Sequence, residues 1–225
     1  MARHDECSPL LIRSLCEKAG FTLDTQQASQ LAGYLALLMQ WNRMMNLVGA
    51  RHWRDALEEL IFDSFHLASF IKERLADEIP DSPVTWDLGS GAGLPGIPLR
   101  IVWNDGSYWM VESRDKRTIF LSTVLARFPL TDTHVFRGRA EQFMEKKKAD
   151  LIVSRAFMPW KDLLAFVRGH LTDNGCIIFL TKEELKPDAD MPWTTVAIKQ
   201  YAAGNALRYF CAFKERHDNS VNTPE

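Results

Sequence analysis

The sequence predicts an α/β fold, namely a doubly wound, mostly parallel sheet of seven strands with an N-terminal helical cap. Apolar residues at helical spacing occupy the first third of the chain, and beyond residue 83 strand-like and helix-like stretches alternate. Such alternation favours a parallel sheet with helices on both faces. With 225 residues, 46% of them hydrophobic, the chain can bury the core that this fold requires.

Residues 1–83 are predicted to form a helical segment that packs on the sheet domain. The stretch Pro80-Asp81-Ser82-Pro83 is the clearest boundary in the chain, because two prolines and polar residues interrupt both helices and strands. Before it we predict three helices: one capped by Ser8 and running through Lys18, one capped by Thr25 and reaching beyond Trp41, and one from about Trp53 to Leu75.

Residues 84–216 are predicted to form the sheet domain, and residues 217–225 a disordered tail. Two final strands, 194–200 and 207–213, are joined by the turn residues Ala203-Gly204-Asn205 and read as a hairpin. The other predicted strands are 84–88, 107–111, 133–137, 150–154 and 175–181, and the predicted helices between them are 95–103, 115–128, 140–147 and 160–171.

The most informative stretch is Trp86–Gly96, which reads W-D-L-G-S-G-A-G-L-P-G. An apolar strand leads into a turn that contains Gly89, Gly91 and Gly93, and Pro95 fits the first turn of the helix that follows. Glycines leave backbone N–H groups accessible beside a surface without Cβ atoms, so that a cofactor can lie directly on the main chain. This corner is therefore a candidate nucleotide-type cofactor site.

The glycine spacing alone leaves the cofactor open. Gly91-x-Gly93-x-x-Gly96 satisfies the dinucleotide fingerprint, and Glu112 lies about 20 residues further on, where an acid would hold ribose hydroxyls. The alternative for Glu112 is a carboxylate that stabilises the next helix. Asp87, at the strand end, suits a cationic ligand better than a pyrophosphate. S-adenosyl-L-methionine has an amine, a sulfonium and ribose hydroxyls but no phosphate, and we favour it over a nicotinamide dinucleotide.

Further candidates follow the later strands, whose carboxyl ends meet at one edge of such a sheet. Ala140 and Glu141 are placed either to meet an adenine edge or in a plain loop and first helical turn. Arg155 follows a buried strand and is either paired within the site or part of a structural ion pair. Basic residues form either a track for a phosphate backbone or solvated helix ends, and they are Arg114, Lys116, Arg117, Arg137, Arg139, Lys146, Lys147, Lys148 and Lys182.

Composition excludes several classes of protein. The net charge is −2, so the chain has no global basic signature of nucleic-acid binding. Neither the four cysteines nor the six histidines have the spacing of a metal site, and we expect no metal. The N-terminus lacks the order of a signal peptide, and no apolar stretch is long enough to span a bilayer. These observations predict a cytoplasmic protein without membrane contact, and nothing in the sequence requires more than a monomer.

Several motifs together resemble one family. The sequence has W-D-L-G-S-G-A-G-L-P-G-I-P-L (86–99), E-S-R-D-K-R-x-x-F-L (112–121), R-A-E (139–141), S-R-A-F (154–157), W-N-R-M-M-N-L (41–47) and D-S (63–64). This combination resembles the bacterial small-subunit ribosomal RNA guanine-N7 methyltransferases, the glucose-inhibited division protein B family (RsmG/GidB). The resemblance covers nearly the whole chain and implies the methyltransferase (Rossmann-like) version of the seven-stranded sheet.

The resemblance implies a function and a set of site residues. The implied activity is methylation of N7 of a specific guanine in small-subunit (16S) ribosomal RNA, in naked RNA or in the ribosomal subunit. Because N7 attacks through its own lone pair, no catalytic base is required, and Arg155 becomes a candidate positioning residue. The implied contacts with S-adenosyl-L-methionine come from Gly89, Leu94, Ala140, Glu141 and Arg155, in addition to Asp87, Gly91, Gly93 and Glu112.

The chain departs from the family pattern at three places. Glu112 stands where the family usually has aspartate, Glu59-Leu60 where it has a basic residue and histidine, and Glu183 where it has glycine. The exchange of one acid for another is chemically mild, whereas the other two departures affect the expected RNA contacts. Two alternatives stay open, a methyltransferase-fold protein that binds RNA or ribosomes without turnover and a nicotinamide-dependent reductase.

Overall fold

A computed structural model describes residues 7–204 and 206–216 of the chain. These residues form one seven-stranded sheet in the order β3-β2-β1-β4-β5-β7-β6, which confirms the predicted α/β class. The predicted tail, 217–225, lies outside the described residues. The strands are β1 (Val84–Leu88), β2 (Ser107–Glu112), β3 (Thr133–Arg137), β4 (Ala149–Ser154), β5 (Leu171–Thr181), β6 (Trp193–Ala203) and β7 (Ala206–Glu215).

Strands β1 to β5 pair in parallel, and β7 lies antiparallel between β5 and β6. In the centre of the sheet Trp86 of β1 is level with Trp109 of β2 and Ile152 of β4. Because the strands are parallel, the carboxyl ends of β1, β2, β3 and β4 all meet at one edge. Loops at this edge, here called the carboxyl edge, carry the predicted site residues.

The helices follow the predicted order with changed bounds. The third predicted helix is not regular: a π-helical turn, Leu57–Ile61, divides it and it ends at Arg74. The helices are α1 (Pro9–Lys18), α2 (Thr25–Met45), α3 (Trp53–Ala56), α4 (Phe62–Arg74), α5 (Gly96–Val102), α6 (Asp115–Arg127), α7 (Ala140–Met144) and α8 (Trp160–Phe166).

Local hydrogen bonds and backbone angles explain where the helices differ from prediction. The N-cap of α2 is Asp24 and not Thr25, since the Asp24 carboxylate accepts the N–H of Gln27 at 2.7 Å. The α7 helix ends before Lys146, which has a left-handed φ of 57°, and α8 ends before Gly169, whose φ is 76°. Pro95 precedes α5 instead of lying in its first turn.

The two faces of the sheet are covered by different helices. On one face Met110, Leu151 and other strand residues pack in a single apolar cluster with residues of α1, α2, α4, α5 and α6. On the other face Trp86 and Ile152 pack against α7 and α8. The N-terminal helices therefore share one core with the sheet domain, and the side chain of Gln27 also donates to the carbonyl of Ile101 at 2.9 Å. The division into domains at residue 83 stays a prediction.

Within residues 7–204 and 206–216 no helix is long and apolar enough to cross a membrane. The same residues contain no group of three or more His, Cys, Asp or Glu side chains placed to hold a metal ion. The cysteines Cys7, Cys16, Cys176 and Cys211 are all free thiols.

Candidate cofactor site

A cavity of about 420 Å³ opens at the carboxyl edge, beside the ends of β1, β2 and β3. Four of the predicted site residues, Gly89, Glu112, Ala140 and Glu141, line it. The loops after four neighbouring strands, β3, β2, β1 and β4, thus converge on one concave surface, as expected for a ligand site in an open parallel sheet. The remaining lining residues are Val111, Ser113, Arg114, Arg117, Gly138, Arg139, Ala156 and Phe157.

Gly89 lies at the floor of this cavity with a left-handed φ of 74°. A Cβ atom at this position would lie 2.4 Å from Cδ2 of Phe157, which is closer than real carbon atoms approach. Its N–H donates to the carbonyl of Val111 at 2.8 Å and ties the loop to β2. Both the backbone angle and the neighbouring ring therefore require glycine.

Glu112 connects the glycine loop to the start of α6. Its buried carboxylate accepts the N–H of Gly91 at 3.0 Å through Oε2 and the N–H of Arg114 at 2.8 Å through Oε1. Nη1 of Arg117 lies 3.7 Å from Oε2. Since each carboxylate oxygen has two lone pairs, both oxygens retain the capacity to accept a further hydrogen bond from a ligand hydroxyl. The helix-stabilising role and the ligand role are thus compatible.

The loop after β3 forms the opposite wall of the cavity. The N–H of Gly138 donates to the carbonyl of Glu112 at 3.1 Å, which fixes this wall to the end of β2. Ala140 is buried and Glu141 exposed in the first turn of α7, where backbone N–H groups have no partner within the helix. This arrangement can offer N–H donors and one carboxylate to a bound heterocycle.

Asp87 is buried beneath the glycine loop and does not line the cavity. A Cβ atom at Gly96 would lie 2.7 Å from Asp87 Oδ2, so α5 can approach this carboxyl group only because position 96 is glycine. Within the described residues Oδ2 has no hydrogen-bond partner. Burial raises the pKa of Asp87 to about 7, against the opposing effect of polar neighbours and Arg155.

The other predicted loop residues also lie outside the cavity lining. Gly93 donates its N–H to the carbonyl of Ser90 at 2.7 Å, and the N–H of Leu94 lies 3.3 Å from the same oxygen. Leu94 is buried in the core. A contact that the sequence did not reveal holds this turn from the other side: the hydroxyl of Tyr34 donates to the carbonyl of Ala92 at 2.8 Å. Helical spacing marked Tyr34 only as a core position.

Arg155 does not line the cavity, and its guanidinium lies beside a buried polar cluster. Its Nη1 lies 4.0 Å from Oδ2 of Asp63. The same carboxylate pairs with Arg208 and, through Oδ1, accepts a hydrogen bond of 2.9 Å from the hydroxyl of Tyr201. Burial lowers the pKa of Arg155, and its side chain is 24% exposed. Asp63 was part of a matched motif, but nothing in the sequence connects it to the hairpin residues Tyr201 and Arg208.

The predicted basic track is divided between the two edges of the sheet. Arg114, Arg117 and Arg139 line the cavity at the carboxyl edge. Lys147 and Lys148 instead border a shallow depression with Val84, the first residue of β1, and therefore lie towards the amino edge. Strand β4 begins at Ala149, directly after the Lys146–Lys148 run, so the run lies at the amino end of a strand. The cavity lies at the carboxyl ends of the strands, and the run therefore cannot contact a ligand there.

The chain is similar in sequence to proteins of one family and similar in fold to solved structures. Residues 27–203 match the family model described as GidB, rRNA small subunit methyltransferase G. The ribosomal RNA small subunit methyltransferase G of Lawsonia intracellularis is 47% identical over 207 residues, which cover 91% of this chain and 94% of that protein. The protein of the same name from Nitratidesulfovibrio vulgaris strain DP4 is 46% identical over 215 residues, 95% of this chain and 97% of that protein.

Among solved structures, a mutant of MtNAS in complex with S-adenosylmethionine aligns with a TM-score of 0.57 at 12% identity. The alignment covers 93% of this chain and 78% of the other. At this level of identity the likeness concerns the fold.

Proposed function

The chain belongs to the rRNA small subunit methyltransferase G (GidB) family, and we propose that it methylates N7 of a guanine in small-subunit ribosomal RNA. Its methyl donor is S-adenosyl-L-methionine. The observation that carries this proposal is the cavity at the carboxyl edge, where Gly89, the buried Glu112 and Ala140 converge from three consecutive strand ends. The family match includes all of these residues.

The residues of the cavity fit this cofactor. Glu112 retains lone pairs for the two ribose hydroxyls, and Gly89 leaves room for a ligand to lie on the main chain. Ala140 and Glu141 would hold the adenine edge. Four predicted residues act from outside the lining by fixing the shape of the loop: Asp87 through its carbonyl, which accepts the Ser90 hydroxyl, Gly91 through its N–H to Glu112, and Gly93 and Leu94 through their N–H groups to Ser90. When bound, S-adenosyl-L-methionine supplies an electrophilic methyl group on a sulfonium.

Methylation at N7 requires no general base from the protein. N7 of guanine is a lone-pair acceptor that carries no proton, so no side chain has to remove one before the attack. The protein's task is to align N7 with the methyl group and to exclude water, which converts a bimolecular encounter into an oriented one. Arg155, held at the end of β4 near Asp63, is proposed as a positioning residue for this alignment.

Two further properties belong to the proposal. We place the protein in the cytoplasm, because its proposed substrate is part of the bacterial ribosome. We also propose that it acts as a monomer, because nothing in its sequence requires a second copy.

The test uses methyl-labelled S-adenosyl-L-methionine and small ribosomal subunits from a bacterial strain that lacks this methyltransferase. Label confined to one guanine, released as 7-methylguanosine, is the expected result. Label in another base would overturn the assignment of N7. Cofactor binding without transfer to subunits or to naked small-subunit RNA would favour a ribosome-binding protein without turnover. Binding of NADH without binding of S-adenosyl-L-methionine would favour a reductase.

A further inference from the structure

A second concave surface, of about 590 Å³, lies between the end of α2 and the start of α3, and we call it the α2–α3 cleft. Its lining includes Met39, Asn42, Arg43, Asn46 and Arg51. We propose that this cleft binds phosphate groups of the RNA substrate and so holds the strand whose guanine is methylated. The inference rests on the proposed function and adds a binding site for the RNA to it.

The amide side chain of Asn42 helps to hold the cleft in shape. Asn42 donates from Nδ2 to the carbonyl of Ala50 at 2.8 Å, and its Oδ1 accepts the N–H of Val48 at 2.9 Å. Asn46 ends α2 in the left-handed conformation with a φ of 48° and turns the chain back. The loop is therefore bound to the helix from which it emerges, and the cleft exists before a ligand arrives.

The charges of the cleft suit a phosphate. Arg43 and Arg51 are exposed, and in the part of the chain that the structure describes neither has an acidic side chain within 4.0 Å. Among the described residues, no Asp or Glu lines the cleft. A guanidinium carries five N–H donors in a planar fork that matches two phosphate oxygens. Two such groups on one preformed wall are therefore suited to consecutive phosphates of an RNA strand.

The course of α2 places the cleft on the same side of the molecule as the cofactor cavity. Near its start, Gln27 bonds to Ile101 in the last turn of α5, towards the amino edge. Further along, Tyr34 bonds to Ala92 in the glycine loop at the carboxyl edge. Arg43 lies nine residues beyond Tyr34, which at 1.5 Å per residue carries it about 13 Å past the loop.

Contacts at the end of α2 support this placement. Trp41 packs against Phe120 of α6 with ring centroids 5.6 Å apart, so the end of the helix is anchored beside the cavity wall to which Arg117 belongs. An RNA strand that presents a guanine at the cavity would thus meet the cleft within a few nucleotides. Phosphate contacts of this kind position a strand without reading its sequence.

The test compares Arg43→Gln/Arg51→Gln with a control of equal charge change, Arg13→Gln/Arg127→Gln. The control arginines are exposed on α1 and in the last turn of α6, outside the cleft. Binding to unmethylated small ribosomal subunits is measured between 50 and 200 mM salt. Each phosphate contact contributes about 0.7 to 0.9 to the slope of log K against log salt, so the cleft variant should lose about 1.5 of that slope. The control should keep the wild-type slope.

Affinity for S-adenosyl-L-methionine, measured by calorimetry, should be unchanged in both variants and reports that they are folded. Asn42→Ala, which alters the loop without changing charge, should raise the KM for subunits and leave the kcat near that of the wild type. A cleft variant with the wild-type slope, or a control that loses as much, would overturn the assignment of the cleft alone. Wild-type protein that neither binds nor methylates subunits would overturn the proposed function and the cleft together.

Discussion

At Gly89 a single hydrogen atom in place of a side chain decides whether the cavity can form. Gly89→Ala would bring a Cβ within 2.4 Å of the Phe157 ring at a left-handed φ, so we expect loss of cofactor binding and a lower free energy of unfolding. The clash should cost about 1–3 kcal/mol beyond the backbone strain. Gly169→Ala is the matched control, because its φ is 76° and no atom lies within 4 Å. Calorimetry and urea unfolding measure both effects, and equal losses in the two variants would contradict the prediction.

Glu112 is the residue at which a structural role and a proposed ligand role meet. In Glu112→Gln one backbone N–H would face an amide N–H₂ instead of an oxygen, which costs about 1–3 kcal/mol in a buried site. We expect a matching fall in stability and weaker binding of S-adenosyl-L-methionine. Glu141→Gln removes the same charge from an exposed position of the lining and should change stability much less. Glu112→Asp, which restores the family's usual acid, should bind more tightly than Glu112→Gln. Unchanged cofactor affinity in Glu112→Gln would exclude the ligand role.

Asp87 makes the stability of the protein depend on pH in a predictable direction. Its pKa rises from 3.8 to about 7 on folding, so the folded state binds the proton more tightly than the unfolded state does. Its contribution to stability is therefore complete below pH 3.8 and is lost as the pH rises to about 7. Relative to Asp87→Asn, the wild type should lose on the order of 4 kcal/mol over this interval. Urea unfolding of both proteins from pH 4 to 8 tests this, and a difference that does not vary with pH would refute it.

At the scale of elements, the polar cluster around Asp63 joins α4 to the β6–β7 hairpin and to the end of β4. Asp63 is the one carboxylate between Arg155 and Arg208 among the ion pairs of the described residues. Removing the charge leaves two guanidinium groups near each other, although their side chains are 24% and 26% exposed. Burial also raises the pKa of Asp63, which reduces the net contribution of its charge to folding. We expect Asp63→Asn to lower the free energy of unfolding by about 1–3 kcal/mol. Tyr201→Phe, which removes one hydrogen bond from the same carboxylate, should cost about 1 kcal/mol.

Arg155→Ala separates positioning from stability within this cluster. Asp63 keeps its contacts with Arg208 and Tyr201 when Arg155 is removed, so stability should change little. If Arg155 positions the reactants, methyl transfer should fall at least tenfold, which corresponds to about 1.4 kcal/mol. Unfolding and single-turnover kinetics measure the two effects. A variant that kept both cofactor affinity and turnover would remove Arg155 from the proposed site.

The helices that were mispredicted differ for local reasons that hydrophobic periodicity does not reveal. The side chain of Asp24 reaches the N–H of Gln27 first, and so the cap lies one residue before the predicted Thr25. The π-helical turn at 57–61 interrupts what the sequence presents as one regular helix, and apolar residues on both sides of it lie in the same core cluster. The start of strand β5 differs from the prediction for a non-local reason. It begins at Leu171 because that residue pairs with Ala149 of β4, which lies 22 residues away in the chain.

At the scale of the whole molecule, the N-terminal helices complete the core of the sheet domain. Leu31, Leu35 and Phe70 are fully buried in the same cluster as Tyr108 and Phe120. A protein that begins at residue 84 would expose this apolar face. We expect it to lack a cooperative unfolding transition by circular dichroism, in contrast to the full chain. A cooperative transition in that fragment would show that the sheet domain is stable without the helices.

The sequence by itself determined the order of the elements, the glycine corner and the acid at the end of the next strand. Each of these depends on local preferences: apolar runs form buried strands, glycines allow left-handed turns, and parallel strands bring their carboxyl ends to one edge. For that reason spacing alone marked Gly89 and Glu112 as candidates. It left Ala140 and Glu141 open between a ligand contact and a plain loop, and the family resemblance supplied their role. The structure places all four around one cavity.

Only the tertiary structure decided which groups meet across long stretches of chain. Tyr34 lies 58 residues from Ala92, and Asp63 lies 145 from Arg208, yet each pair is in direct contact. Such contacts depend on how helices pack on the sheet, which residue spacing does not specify. Packing also explains why Asp87 and Leu94 are buried and why Arg155 lies beside Asp63. It likewise explains why the Lys146–Lys148 run lies towards the edge opposite the cavity. Periodicity shows that a residue is buried, whereas its partner is fixed by the fold.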